Sequence, residues 1–224
     1  EACMRSALAQ TDLFLRGDGL YAPGRATARP GWWLPAMICG FGPLYGAVMG
    51  SFGLDSPERA LLMMYSGVKV PLLLFATSVL CLPGFFVLNT LLGLRDDFRE
   101  ALQAVLAGQA GLSIALASLA PVTRFWYFSE DSYRAALLFN AAMFTLATLA
   151  GQVVMLRYYR VLIRRRPNHR IMLIAWLGLY AFVGIQMGWL LRPFIGAPGM
   201  PVAFLRDEPL SNAYVVVAQL IFGI

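Results

Sequence analysis

Acidic and imidazole side chains are missing from the parts of this chain that are most apolar. Five long apolar stretches, about Trp32–Leu54, Ala60–Leu94, Leu102–Val122, Ala135–Leu156 and Ile171–Leu191, hold no Asp, Glu or His. Charge is scarce throughout. Asp, Glu, Lys and Arg make up 13% of the 224 residues, where a soluble domain usually carries about 25%. Lysine occurs once, as Lys69, and histidine once, as His169. Cys3, Cys39 and Cys81 are odd in number and two of them lie inside apolar stretches, which excludes a disulfide framework and reads as buried thiols. Residues 1–30 lack the uninterrupted apolar core of a secretory signal, and no Asn-x-Ser/Thr acceptor is present.

Each absence removes a class of chemistry. A single histidine, expected in a loop, cannot pair across two spans to hold haem. Proton-coupled carriers generally need a buried carboxylate or histidine relay, and the apolar stretches offer neither. Intramembrane hydrolysis would need a spanning Asp pair, a Ser–His partnership or a His-Glu metal motif. No Ser/His/Asp set, Gly-rich phosphate loop or Cys/His metal spacing occurs. The expectation is a protein that is not an enzyme, with no cofactor and no metal.

What is present is length and apolarity. About 20 apolar residues cross the hydrocarbon core of a bilayer. Five such stretches with their connectors use most of the chain. Strict alternation, the mark of barrel strands, is absent. Helices are the remaining way to satisfy every backbone group in lipid. The sequence therefore predicts an all-α polytopic membrane bundle of five transmembrane helices plus short interfacial helices. Its organisation divides into an amphipathic N-terminal segment at 1–31, a transmembrane domain at 32–192, and a Pro/Gly-rich loop with a short terminal helix at 193–224. The second span is expected to kink or break near Pro71 and Pro83.

Arginine sets the orientation. Twelve of the eighteen basic residues fall on the side shared by the N-terminus and the loops at 95–101 and 157–170, while the acidic residues divide evenly. Positive residues favour the cytoplasmic side. This predicts a multi-pass protein of the inner (cytoplasmic) membrane, N-terminus inside and C-terminus external or periplasmic. Residues 2–16 form a short helix with Met4, Leu8 and Leu15 on one face, either interfacial or docking a partner. Trp32 and Trp33 mark the headgroup level, and Asn168 is positioned to cap the fifth span. The tail at Tyr214–Ile224 is apolar but about half the length of a crossing. It reads as an interfacial or re-entrant helix, or as part of a sixth span.

Several side-chain patterns bear on function. Gly42, Gly46 and Gly50 lie four apart on one helix face, with similar stripes at Ala107, Gly111 and Ala115, and at Gly184 and Gly188. In lipid, helix association depends on close backbone approach, which such faces permit. They either pack within the monomer or meet another subunit. Lys69 either snorkels to a nearby boundary or contacts a substrate or ion, and with Gln109 it is a candidate for a polar path. Asn89, Gln109, Asn140, Gln152 and Gln186 are expected to bond across helices, contributing roughly 0.6 kcal/mol each. Arg160, Arg164, Arg165 and Arg166 form a basic cluster beside a span, suited to anionic lipid headgroups at about 1 kcal/mol per charge and not to nucleic acid. Trp189, Arg192, Pro193 and Phe194 begin an outer loop too rich in Pro and Gly to remain helical.

Three segments carry a resemblance: Leu44-Tyr45-Gly46-Ala47-Val48-Met49-Gly50-Ser51, Lys69-Val70-Pro71-Leu72-Leu73-Leu74, and Gly188-Trp189-Leu190-Leu191-Arg192-Pro193-Phe194-Ile195-Gly196. With them most of the chain resembles a family of multi-pass bacterial membrane proteins without assigned function. The five-span layout is also similar in topology to the Yip family, whose eukaryotic members act in trafficking and membrane curvature by binding partners. Neither likeness implies catalytic residues. The expected role is a non-catalytic integral membrane scaffold or accessory subunit that packs against other membrane helices, or a second copy, and anchors a larger assembly. The alternatives are a small-molecule channel or facilitator using a Pro-broken second helix, and a Yip-like membrane-shaping protein.

Overall fold

The computed structural model describes residues 9, 11–16, 32–53, 57–130, 132–196 and 202–205. Among these, the regular elements are helices: α1 (Trp33–Gly50), α2 (Pro57–Leu91), α3 (Phe98–Tyr127), α4 (Tyr133–Arg165) and α5 (His169–Leu190), with a 3-10 turn at Arg95–Asp97. All five are long and apolar enough to cross a membrane. The chain is a five-helix polytopic membrane bundle. The expected tail helix at Tyr214–Ile224 lies outside the described residues, as do Met4, Leu8 and residues 22–31.

Two antiparallel hairpins, α1/α2 and α3/α4, meet through α1 against α3, while α5 packs mainly on α2 and also reaches α3 and α4. α3 is the central helix: 61% of its apolar window is buried, against 22% for α4 and 17% for α5. Its run of Ala, Gly and Ser from Ala107 to Ser113 explains this position, because small side chains admit neighbours on several faces. One buried cluster joins α1 to α4 and includes Tyr45, Val70, Leu116 and Ala147. A second, with Phe85, Val105, Tyr159 and Trp176, binds α2, α3, α4 and α5 at the end that carries the α2–α3 and α4–α5 turns. This is the arginine-rich end. The N-terminal helical residues 11–16 lie against it, with Phe14 buried on Tyr158 at 6.3 Å between ring centroids.

α2 corrects the expectation of a break. It is one helix of 35 residues through Pro71 and Pro83, about 52 Å long at the α-helical rise. A proline removes one donor and crowds the carbonyl four residues back. In lipid an interrupted helix has no water to satisfy the groups it frees. The Pro71 ring fills the groove opposite Gly42.

α3 and α4 run beyond their expected ends, whereas α1 stops at Gly50 and α2 at Leu91, short of theirs. α4 continues to Arg165, so most of the segment read as a basic loop is helix. Met155, Tyr159 and Leu162 recur on one buried face there, giving the extension an apolar stripe to hold it. α3 likewise runs past Val122, with Thr123 and Tyr127 facing inward. α2 ends in a glycine cap. Gly93 takes φ +69°, Leu94 N–H bonds the Asn89 carbonyl at 2.8 Å and Gly93 N–H bonds Thr90 at 3.1 Å. Ser132 caps α4 by accepting Ala135 N–H at 3.4 Å. Asn168 sits at the start of α5, but its side chain does not cap the helix and instead donates to the Leu92 carbonyl at 3.4 Å.

Candidate functional site

The glycine face of α1 is spent inside the chain. A Cβ on Gly46 would lie 2.2 Å from the Ser66 carbonyl oxygen, and one on Gly50 would lie 2.5 Å from that of Leu62. One on Gly42 would lie 3.3 Å from Pro71 Cδ. These three residues therefore seat α1 directly on the α2 backbone. A Cβ on Gly111 would lie 3.0 Å from Val154 across the α3–α4 contact. The stripe on α5 is different. A Cβ on Gly184 would make ordinary van der Waals contact with Thr77 at 3.6 Å, and one on Gly188 would meet nothing within 4 Å. The closest crossing that the sequence reading missed is Gly108 on Gly151, where a Cβ on Gly151 would lie 2.7 Å from the Gly108 oxygen. Its signal was present as Ala147, Gly151 and Met155, four apart on one face of α4.

A buried polar chain ties three helices together. Tyr45 of α1 donates its hydroxyl to Asn140 Oδ1 of α4 at 2.9 Å. Asn140 Nδ2 donates to the Tyr127 hydroxyl of α3 at 2.6 Å and to the Ala136 carbonyl at 2.7 Å. Thr123 adds a longer bond to Tyr45 at 3.4 Å. Tyr180 of α5 donates to Gln109 Oε1 of α3 at 2.9 Å. Gln109 is therefore a strut between two helices. Asn89 bonds within its own helix, to the Phe85 carbonyl at 2.8 Å. Gln152 Oε1 is buried with no partner among the described residues.

At the end opposite the arginines, the segment after α5 folds back over α2. Lys69 is 0% exposed, so it does not snorkel. Its ammonium donates to the Pro193 carbonyl at 2.6 Å and faces the rings of Phe204 at 5.0 Å and Phe194 at 5.8 Å. Ser66, one turn away, donates to the Phe194 carbonyl at 2.6 Å. Tyr65 packs edge-on against Phe204 at 5.4 Å, and the Arg192 guanidinium lies 3.5 Å over the Trp189 ring. The expected outer loop is thus part of the packed body. Lys69 and Gln109 take different partners and the structure does not join them into one path. Cys81 is buried as expected, whereas Cys39 is exposed on α1.

The arginine cluster divides in two. Arg165 pairs with Glu100 at 2.8 Å. Arg166 lies 3.8 Å from both Asp96 and Asp97 and donates to the Gly93 carbonyl at 2.8 Å. His169, expected in a loop, is the first residue of α5, is 0% exposed and meets Asp97 at 3.1 Å. Together with Asn168 these contacts clasp the α2–α3 turn against the α4–α5 turn. Arg157 donates to the Leu15 carbonyl and holds the N-terminal helical residues. Arg160 and Arg164 are exposed and make no ion pair among the described residues. Among those residues no three His, Cys, Asp or Glu side chains gather as a metal ion would need. Comparison of the chain with protein-family models, curated proteins and solved structures finds no match.

Proposed function

We propose that the chain is a non-catalytic integral membrane scaffold or accessory subunit that presents α4 to the helices of other membrane proteins, or of a second copy, and anchors a larger assembly. The observation that supports this is the outward face of α4. Ala141, Thr145, Thr148 and Gln152 recur at spacings of 4, 3 and 4 on one side of the helix. The first three are exposed and Gln152 is half-buried. Small and hydroxyl-bearing residues on an outward face are what transmembrane helices use for close approach. The glycine faces of α1 and α3, by contrast, are occupied within the chain.

In this reading the protein sits in the inner membrane of a bacterial cell, with the arginine-rich end in the cytoplasm and the 192–205 segment outside. Arg160 and Arg164 meet anionic headgroups, while Arg165 and Arg166 hold the turn. Nucleic acid is not a partner. The test is extraction in mild detergent followed by affinity purification of the intact chain. A second membrane polypeptide, or a second copy, is expected to travel with it, and substituting Thr145→Leu with Thr148→Leu is expected to release it. A monodisperse monomer that moves a solute across liposomes would replace this reading with a facilitator.

A further inference from the structure

Resting on the reading of Arg160 and Arg164 as headgroup contacts, we infer that Arg157 is the third member of that anionic-lipid surface and that the N-terminal helical residues 11–16 compete with lipid for it. Arg157, Arg160 and Arg164 are all exposed. At 3.6 residues per turn they fall within about 60° of one another around α4. Arg165 and Arg166 are spent on Glu100, Asp96 and Asp97, whereas these three hold no ion pair among the described residues. Arg157 is the first charge after the apolar stretch that ends at Leu156. Side chains on a helix lean toward its N-terminus, which for α4 is the far end of the bundle, so all three guanidinium groups lean toward the headgroup layer. The N-terminal residues draw Arg157 the other way. Its guanidinium donates to the Leu15 carbonyl, and Phe14 is buried against Tyr158. Tyr158 stands about 100° from Arg157 around the helix, and Arg160 about 60° from it in the opposite sense. One guanidinium therefore cannot serve Leu15 and a phosphate shared with Arg160 at the same time. A phosphate is the stronger partner, because it takes paired, charge-assisted bonds and the carbonyl is neutral. An anionic leaflet pulls Arg157 from Leu15 and loosens the N-terminal residues. A zwitterionic leaflet, whose phosphates are balanced by cationic groups, leaves them docked.

Thr11, one turn before Phe14, is buried, so a thiol placed there reports docking. Alkylation of a group exposed only by fast local opening follows the population of the open state. The full chain carrying Thr11→Cys is placed in nanodiscs of phosphatidylcholine alone or with about one third phosphatidylglycerol, and treated with N-ethylmaleimide. Trypsin cleavage after Arg5 and Arg16 isolates the reporting residue from Cys3, Cys39 and Cys81, and its modification is read by mass. The expected result is alkylation about fivefold faster in the anionic discs, one arginine's share of the attraction to an anionic surface. With Arg157→Ala the rate is high and the same in both discs. With Arg160→Ala and Arg164→Ala together it stays slow in zwitterionic discs and the acceleration shrinks. Inorganic phosphate added to zwitterionic discs leaves the rate unchanged; equal acceleration by free phosphate overturns lipid as the ligand. Equal rates in the two discs, or an acceleration that survives Arg157→Ala, overturn the competition. Phosphatidylglycerol retained by the purified chain, counted by native mass spectrometry, separates the two readings. Retention that does not fall with Arg160→Ala and Arg164→Ala overturns the headgroup contacts and this inference with them. Retention that falls while the Thr11→Cys rate ignores lipid overturns the competition alone.

Discussion

Adding one methyl group at Gly46 tests how the bundle is held. The Cβ of Gly46→Ala would be built 2.2 Å from the Ser66 carbonyl oxygen, 2.7 Å from its carbon and 2.9 Å from Gly67 Cα. All three are backbone atoms of a continuous helix, so no side chain can rotate away. Ordinary contact begins near 3.4 Å, so α1 and α2 must separate by about 1.2 Å locally, and close-packed atoms lose a large part of their dispersion at such a gap. Overpacking of this kind costs about 1–3 kcal/mol. Replacing glycine by alanine within a helix returns about 1 kcal/mol of propensity. The net expectation is a loss of up to about 2 kcal/mol, a factor of up to roughly 30 in the folded-to-unfolded ratio. Gly188→Ala is the matched control, since nothing lies within 4 Å of its Cβ position. It keeps the propensity gain and is expected to be neutral or more stable. The assay is reversible unfolding in mixed micelles, followed by circular dichroism. Equal stability of the two variants would refute the direct seating of α1 on α2.

Tyr45→Phe removes the hydroxyl that satisfies Asn140 Oδ1 and is expected to cost about 1–2 kcal/mol. A double-mutant cycle with Tyr127→Phe should give a coupling of about 0.6 kcal/mol, read from the same unfolding curves. Arg165→Gln breaks a half-exposed ion pair and should change stability by less than about 1 kcal/mol. His169→Ala empties a wholly buried position facing Asp97 and Tyr159, and it should destabilise the bundle clearly more than Arg165→Gln. Replacing Pro71 by Leu should leave helix content and the α1–α2 contact intact, because α2 is already continuous there; loss of helical signal would contradict that description.

The spans were legible because lipid enforces long apolar runs without ionisable groups, and that rule acts locally along the chain. Close packing at Gly46 and Gly111 was legible for the same reason: spacing by four identifies a helix face. The partner of that face was not, since Gly46 meets Ser66 only once the hairpin closes. Lys69 was misread because a snorkelling lysine and a buried one look alike in sequence. The carbonyl that holds it is 124 residues away. His169 precedes the apolar stretch at Ile171–Leu191, so the sequence predicts a loop where the structure starts α5, and α4 likewise passes its apolar boundary on Met155, Tyr159 and Leu162. That periodicity could have been read. The clasp of Asp97 on His169 and Arg166 could not, because it depends on two turns meeting.

The most direct test of the scaffolding account is a photo-crosslinking residue placed at Thr145 in the intact membrane, with Ala147 as the buried comparison. The account predicts that Thr145 yields a polypeptide adduct, a partner or a second copy, and that Ala147 yields none. Lipid adducts alone at Thr145 would contradict it.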